Sequence, residues 1–315
     1  MQRKRFQACL LVLAFACAST VCDADVTLAL NKTFVNKIKN KATITTELNV
    51  DAHPNTPHEI ERSGDDGDIH MAGRDNVFKL PLVAEIINAR LELPAMDLLK
   101  QSSPNQALSV TGVWRIWFEH LGNKDQIQGQ KVPAPANSNP DHLCEIHPIT
   151  KFAGVDVLSS FVPIRDDKAK PPKVYEAFTA SRAFPEYEKI DATISASQTA
   201  LMIQSGQEGF NYAEFVIELA GKPKDVGDGF IVLAHVFDTK DVDKQVTADV
   251  RRMVFVKGTP PADKLATLGK GDQLHVLGIP RVNLAEVSAI ADKHKGAPVD
   301  VKLPYEMIII AVLAG

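Results

Sequence analysis

The sequence predicts a mainly β protein in which one unit is used twice, and three observations carry that expectation. Short alternating or apolar runs bounded by glycine, proline and polar clusters recur along the 315 residues, notably at 107–120, 143–152, 212–220, 229–238, 273–282 and 305–313. The pattern L-x-V-x-G-(V/I)-x-R-(I/V) occurs at 108–116 and again at 274–282, so Gly112 and Gly278, and Arg115 and Arg281, stand 166 positions apart. Pro94 and Pro260, Asp97 and Asp263, and Leu99 and Leu265 keep the same spacing, which extends the repeat across a helix signal. Upstream, Ala42-Thr43-Ile44 recurs as Ala192-Thr193-Ile194. Each copy then reads strand, strand, strand, helix, strand, strand. That is the order of the OB fold, a partly open five-stranded barrel. The expected architecture is two tandem OB-like five-stranded barrels, each with a short helix. The expected division is a signal peptide at 1–24, a first barrel domain at 25–164, a linker at 165–174 and a second barrel domain at 175–315.

The elements follow in order. Residues 25–41 open the chain as a strand or short helix, and a β run begins at Ala42. Residues 51–66, with two prolines and mixed charge, form a long polar loop. Short strands follow at 68–73 and 80–87, the second with Glu85 among apolar neighbours. Pro94 opens a helix over 94–100, because proline suits the first helical position. The long strand 107–120 carries Trp114, Trp117 and Phe118, and a proline- and asparagine-containing loop spans 122–140. The strand 143–152 is interrupted at Pro148. The run Arg165-Asp166-Asp167-Lys168-Ala169-Lys170-Pro171-Pro172-Lys173 is a linker by composition. The second copy is read as strands at 192–196, 199–205, 212–220, 229–238 and 251–256, a helix over 261–268, and a strand at 273–282. Asn283, with Glu286 three positions on, is a capping box opening a helix to 294, and 305–313 is a buried closing strand. The glycine of the fourth strand fits a barrel corner or bulge.

Charge and compartment narrow the function. The net charge of −4 offers no basic surface and argues against non-specific nucleic-acid binding. Arg3-Lys4-Arg5, the apolar run 8–16 and the small-residue sites at Ala16-Cys17-Ala18 and Cys22-Asp23-Ala24 read as a secretory signal cleaved near Ala18 or Ala24. The run is too short to span a bilayer, so no transmembrane segment is expected after cleavage and the chain is expected in the periplasm or outside the cell. Cys17 lacks the preceding leucine of a lipoprotein site, which leaves a lipid anchor disfavoured. Of four cysteines, only Cys144 lies far from the signal, so there is no disulfide framework.

The densest chemistry lies in two stretches, Gly64-Asp65-Asp66-Gly67-Asp68-Ile69-His70 and Asp141-His142-Leu143-Cys144-Glu145-Ile146-His147-Pro148. On a strand, residues two apart share a face. Asp68 and His70 therefore point one way, as do Glu145 and His147 on theirs, with Ile69, Cys144 and Ile146 opposite. Carboxylate beside imidazole suits a divalent metal or acid–base chemistry. Asp68, His70, Glu145 and His147 are thus the candidate metal ligands, with Glu145, His147 and His70 as candidate catalytic groups and Glu85 as a fifth member. The wet face of a half-buried sheet shows the same alternation, and that reading, or a binding role, is preferred to catalysis. Trp117, Arg115 and His142 are candidate ligand-binding residues, Trp117 as a stacking platform.

The D-G-D-I-H, V-T-G-V and E-I-H-P motifs, in that order over about 64–150, resemble a group of bacterial secreted proteins of uncharacterised activity that carry D-G-D-x-H, V-x-G and E-(L/I)-H-P on one OB-like domain. The resemblance implies an extracytoplasmic β-barrel module and no particular activity. The functional expectation is an exported protein that binds a saccharide, peptide or protein through a barrel face and its long loops, 51–66 and 122–140. The partner is thus an unidentified small ligand or protein. The alternative is a divalent-metal-dependent, phosphodiesterase-like hydrolase with its site in the first domain. The cofactor is left open, with a divalent metal as the candidate.

Overall fold

The computed structural model describes residues 25–60, 65–103, 106–206 and 209–314. The expected signal and its cleavage sites, at 1–24, lie outside the described residues. In the first half the elements are β1 (Val26–Asn31), α1 (Lys32–Ile38), β2 (Thr43–Ala52), β3 (Ile69–Arg74), β4 (Leu82–Ile86), α2 (Leu93–Gln101), β5 (Gln106–His120), β6 (Gln126–Ile127), β7 (His142–Phe152) and β8 (Val155–Asp156). A short ribbon follows, β9 (Arg165–Asp166) paired with β10 (Lys173–Val174). The second half holds β11 (Phe178–Thr179), α3 (Ala180–Tyr187), β12 (Asp191–Ala196), β13 (Ala200–Ser205), β14 (Ala213–Leu219), β15 (Lys224–Asp225), β16 (Gly229–Phe237), β17 (Arg251–Val256), α4 (Pro260–Leu265), β18 (Gln273–Val282), α5 (Leu284–Lys293), β19 (Val299–Lys302) and β20 (Tyr305–Val312).

Two barrels close. In barrel 1 the strands run β2-β3-β4-β7-β5, and β5 returns to β2. In barrel 2 the ring is β14-β16-β17-β20-β18, with β18 returning to β14. Numbered along each ring's own sequence, both orders are 1-2-3-5-4-1, and α2 and α4 each sit between strands three and four. This is the OB arrangement expected from the repeat. The repeated glycines behave alike. Register shifts fall at Gly112 in β5 and between Leu277 and Gly278 in β18, and neither position has room for a side chain. A Cβ on Gly112 would lie 2.5 Å from the Ile146 side chain, and one on Gly278 would lie 2.9 Å from the Ile308 carbonyl. Half of the expected capping box forms: Asn283 Oδ1 accepts from the Glu286 amide at 3.2 Å, but the Glu286 carboxylate accepts from Asn283 Nδ2 at 3.1 Å, because the Asn283 amide already donates to the Pro304 carbonyl at 2.9 Å.

One strand assignment is corrected. The 192–196 and 199–205 runs are not the opening strands of barrel 2. They are β12 and β13 of a separate five-stranded sheet, β19-β12-β13-β1-β6, which draws strands from both halves of the chain. Ala42-Thr43-Ile44 leads into a barrel strand whereas Ala192-Thr193-Ile194 lies in the shared sheet, so the two are not structural equivalents. A three-residue match of β-forming residues does not specify a partner, because what a strand pairs with is decided by non-local contacts. The segment read as a linker folds as the β9–β10 ribbon. Among the described residues, no helix is long and apolar enough to cross a membrane.

The barrels meet through β5 and β18. Arg115 Nε donates to the Pro280 carbonyl at 3.0 Å, and Arg281 donates through NH1 to the Trp114 carbonyl at 2.9 Å. Each arginine of the repeat thus bonds the residue preceding its counterpart, as a local two-fold relation requires. Around this pair an apolar seam joins Ile87, Val113 and Phe161 of the first half to Val254, Ile279 and Ile308 of the second.

Candidate functional site

The two histidine-bearing stretches converge on the outer face of barrel 1. Ile69, Cys144 and Ile146 point into the barrel core, which leaves Asp68, His70, Glu145 and His147 on the opposite face. Pairing of β3 with β4 sets His70 across from Glu85, and β4 lies parallel to β7 with Val83 beside Glu145. The result is a continuous run of contacts. Asp68 Oδ2 is 2.6 Å from His70 Nε2. His70 Nε2 is 3.6 Å from one oxygen of Glu85, whose other oxygen is 3.1 Å from His147 Nδ1. Glu145 lies 3.3 Å from that same nitrogen and accepts from Arg115 NH1 at 2.5 Å.

Three further groups were not legible as members from the sequence. His58, in the long polar loop, bonds Asp68 through Nδ1 at 2.9 Å, and its backbone amide donates to the Asp68 carbonyl at 2.8 Å. Asp66 lies in the D-G-D turn, and Tyr212 comes from the second half. The Tyr212 hydroxyl donates to Asp66, and its oxygen accepts from His147 Nε2 at 3.0 Å. The turn itself explains the glycine between the acids. Gly67 has φ +75°, and a Cβ there would stand 2.8 Å from the Ile60 side chain. Asp66 and His58 could have been suspected from their nearness to Asp68; nothing in the sequence points to Tyr212.

Burial sets the electrostatics. Burial alone would lower the pKa of His70, but the Glu85 charge and the Asp68 hydrogen bond outweigh it and push the imidazole up to about 10. Burial opposes and Glu85 and Glu145 favour the charged form of His147, which is raised to about 9. Burial would raise Asp68 too, yet hydrogen bonds from His58 and His70 hold it well below the usual carboxylate range. Asp66 and Glu85 go the other way, both raised chiefly by burial. Glu145 is held low against its burial by Arg115 and by His142 and His147. The cluster is therefore rich in carboxylates and holds protons on its imidazoles.

The residues assigned to ligand binding are placed differently from the expectation. Trp117 is 2 % exposed, with its ring edge-on to Tyr187 of α3 at 5.8 Å, so it packs in the core and presents no stacking platform. Arg115 is fully buried between Glu145, Glu119 and the Pro280 carbonyl. His142 is also buried, held by the Pro140 carbonyl at 2.7 Å and Glu145 at 3.1 Å, and its ring stacks on His120. The aromatic groups that do face a cavity are Tyr175, Phe178, Phe210 and Tyr212. Together with His58, Asp65, Asp66, Asp68, His70, Glu85, Glu119, His120, Asn139, Glu145 and Asn211 they line a cleft of about 360 Å³. Its floor is barrel 1 and its aromatic wall belongs to the second half. Phe210 takes a left-handed backbone, φ +60°, a strained conformation for a bulky residue.

No family model and no curated protein matches the chain. Among solved structures, the chain is similar to a deletion mutant of the single-stranded DNA-binding protein from Thermus aquaticus, at 11% identity over 87% of this chain and 93% of that one, with a TM-score of 0.21. A murine DNA-binding protein bound with double-stranded DNA matches at 11% identity over 84% and 92%, with a TM-score of 0.20. The expectation that set nucleic acid aside is corrected here. It rested on net charge, and the matched structures are DNA-binding proteins. Whole-chain charge does not describe a local face, so it excludes no partner. At these TM-scores the likeness assigns no partner either.

Proposed function

We propose that this chain is an exported binding protein that takes a small saccharide into the cleft on the outer face of barrel 1. The observation that carries the reading is the place of the cleft. It is built on β3 and β4, the second and third strands, and edged by the loops after strands one and four, which contribute His58, Asp65, Asp66 and Asn139. That is the face through which OB barrels take oligomeric ligands. The lining then selects among ligands. Three partly exposed aromatic rings, Tyr175, Phe178 and Phe210, opposite six carboxylates offer stacking surfaces for the C–H face of a sugar and strong acceptors for its hydroxyls. A volume of about 360 Å³ is at the small end of ligand sites, which suits one or two sugar units better than a protein surface.

Calorimetric titration of the full chain with cellobiose, maltose and N,N′-diacetylchitobiose tests this. At least one should bind in the millimolar range or tighter, and Phe210→Ala should weaken it about tenfold, or ~1.4 kcal/mol. The reading is lost if none binds, or if binding is indifferent to Phe210→Ala and Tyr175→Ala together. Export is checked by intact mass from a secreting host; a product retaining Arg3-Lys4-Arg5 contradicts it.

Hydrolysis is the second reading, favoured by the arrangement of Glu85 and Glu145, which lie 3.1 and 3.3 Å from the same nitrogen of His147. Glu85 is raised and Glu145 lowered within a single buried cluster, and carboxyl groups whose environments push them apart are the usual acid and base pair. If hydrolysis occurs, Glu145→Gln abolishes it while the fold persists.

A further inference from the structure

We propose that His58, Asp68 and His70 form a site for one divalent transition-metal cation of the zinc class, with its fourth position open to the cleft. The inference shares the cleft with the saccharide reading and does not depend on it.

The geometry is the first support. Asp68 sits between two imidazoles, with His58 Nδ1 2.9 Å from one carboxylate oxygen and His70 Nε2 2.6 Å from the other. One donor atom from each of the three lies within 4.8 Å of the others. Donors about 2.0–2.2 Å from a zinc-class ion surround it at separations of this order, so a cation would take the place of the bridging protons with small side-chain movements. His58 is also held beside Asp68 by the bond from its amide to the Asp68 carbonyl at 2.8 Å.

The donor set decides the class of ion. Two imidazoles and a carboxylate suit zinc-like cations, whereas calcium and magnesium require oxygen ligands throughout. Three protein ligands are the number that leaves a position for an exogenous group. Access is present, since the His58 side chain is 40% exposed while Asp68 is 4% exposed. Among the described residues, six carboxylates and no lysine or arginine line the cleft, which draws cations toward it.

Two other groupings of possible ligands exist, Glu85 with Glu145 and His147, and His120 with His142 and Glu145. Both use Glu145, and Arg115 NH1 already lies 2.5 Å from that carboxylate. A permanent cation there already balances the charge of the carboxylate that a metal would need. Among the described residues, no lysine or arginine is paired with Asp68 at the His58 site.

Barrel 2 supplies an independent argument. The register of β3 with β4 pairs His70 with Glu85, and that of β16 with β17 pairs Ile231 with Val254. Aligned through Glu145 and Glu306, which face Arg115 and Arg281, His70 corresponds to Ile231 and Asp68 to Gly229. The second barrel closes without either ligand. The fold therefore does not need a buried carboxylate and imidazole at these positions, and burying them without a role is unfavourable.

The test uses the full chain stripped with EDTA and titrated with Zn²⁺ by calorimetry and with Co²⁺ by visible absorption. One Zn²⁺ per chain is expected, together with d–d bands for bound Co²⁺. His70→Ala and His58→Ala should each weaken Zn²⁺ by about a hundredfold or more and remove the Co²⁺ bands. His275→Ala, which removes an imidazole bonded to Glu214 in barrel 2 at 2.7 Å, should leave binding unchanged. Metal-free circular dichroism checks that the variants fold, and His58, being on a partly exposed loop, is the variant least able to disturb the barrel. Binding no tighter than that of the His58→Ala/His70→Ala double variant overturns the site, as does equal loss in His275→Ala. A chain that binds sugar but no Zn²⁺ overturns this inference alone. One that binds Zn²⁺ but no sugar overturns the saccharide reading alone.

Discussion

Barrel 1 and barrel 2 share a frame and differ in what they mount on it. In each, an arginine of the fourth strand faces a glutamate of the fifth, Arg115 with Glu145 and Arg281 with Glu306. Beyond that pair the two diverge. Val83 lies beside Glu145 on the parallel neighbour, and the matching residue beside Glu306 is Arg252, two positions before Val254. Extending the registers makes His70, Glu85 and His147 the counterparts of Ile231, Val254 and Ile308. The apolar trio lies in the seam between the barrels, while the polar trio floors a cleft. The difference teaches that the arginine–glutamate pair belongs to the architecture of the duplicated frame and that the histidines and extra carboxylates belong to the site.

The largest effect should come from breaking the frame in barrel 2. Arg281 and Glu306 are fully buried, 2.7 Å apart, and Arg252 Nε lies 2.6 Å from the second oxygen of Glu306. Glu306→Ala removes the carboxylate that two arginines share and leaves the buried Arg281 with carbonyl partners alone, and removing one partner of a buried pair typically costs about 3–5 kcal/mol. Glu145→Ala should cost less, because Arg115 keeps Glu119 at 2.9 Å. Urea unfolding of both variants orders them; a larger loss for Glu145→Ala would reverse the assignment of frame and site.

Next comes conversion of one barrel into the other. His70→Ile, Glu85→Val and His147→Ile together give barrel 1 the residues of barrel 2. Replacing buried charged groups by apolar ones is often neutral or stabilising by about 1–4 kcal/mol. Asp68 keeps His58, Glu145 keeps Arg115 and Tyr212 keeps Asp66, so the triple variant should fold with stability close to that of the parent and lose Zn²⁺ binding. A destabilised triple variant would show that the polar trio supports the fold.

Tyr212→Phe tests the link between the halves at the site. It removes the bonds to His147 and Asp66, and leaving such groups unsatisfied costs about 1–3 kcal/mol. The matching change at Tyr175, whose ring lies 5.0 Å from that of Tyr212, should cost less. The smallest contrast is between the repeated glycines. Gly112→Ala meets the Ile146 side chain at 2.5 Å and the Pro148 carbonyl at 2.6 Å, whereas Gly278→Ala meets its nearest atom at 2.9 Å. Both should destabilise, by roughly 1–3 kcal/mol as overpacking does, with Gly112→Ala the worse in thermal melts.

The sequence alone determined the repeated unit, the helix between strands three and four, the bulged glycines and the face on which Asp68, His70, Glu145 and His147 lie. These are local or periodic properties. Alternation fixes a face, proline and asparagine fix helix starts, and a repeated L-x-V-x-G-x-x-R records a repeated environment. Only the tertiary structure decided which strands close each barrel, that 192–196 joins the N-terminal strand in a shared sheet, and that Trp117 is core. It alone brought Tyr212 to His147 across 65 positions and His58 to Asp68. The reason is physical: a side chain's face follows from its own strand, but its neighbours follow from loop closure and sheet pairing, which no single stretch of sequence encodes.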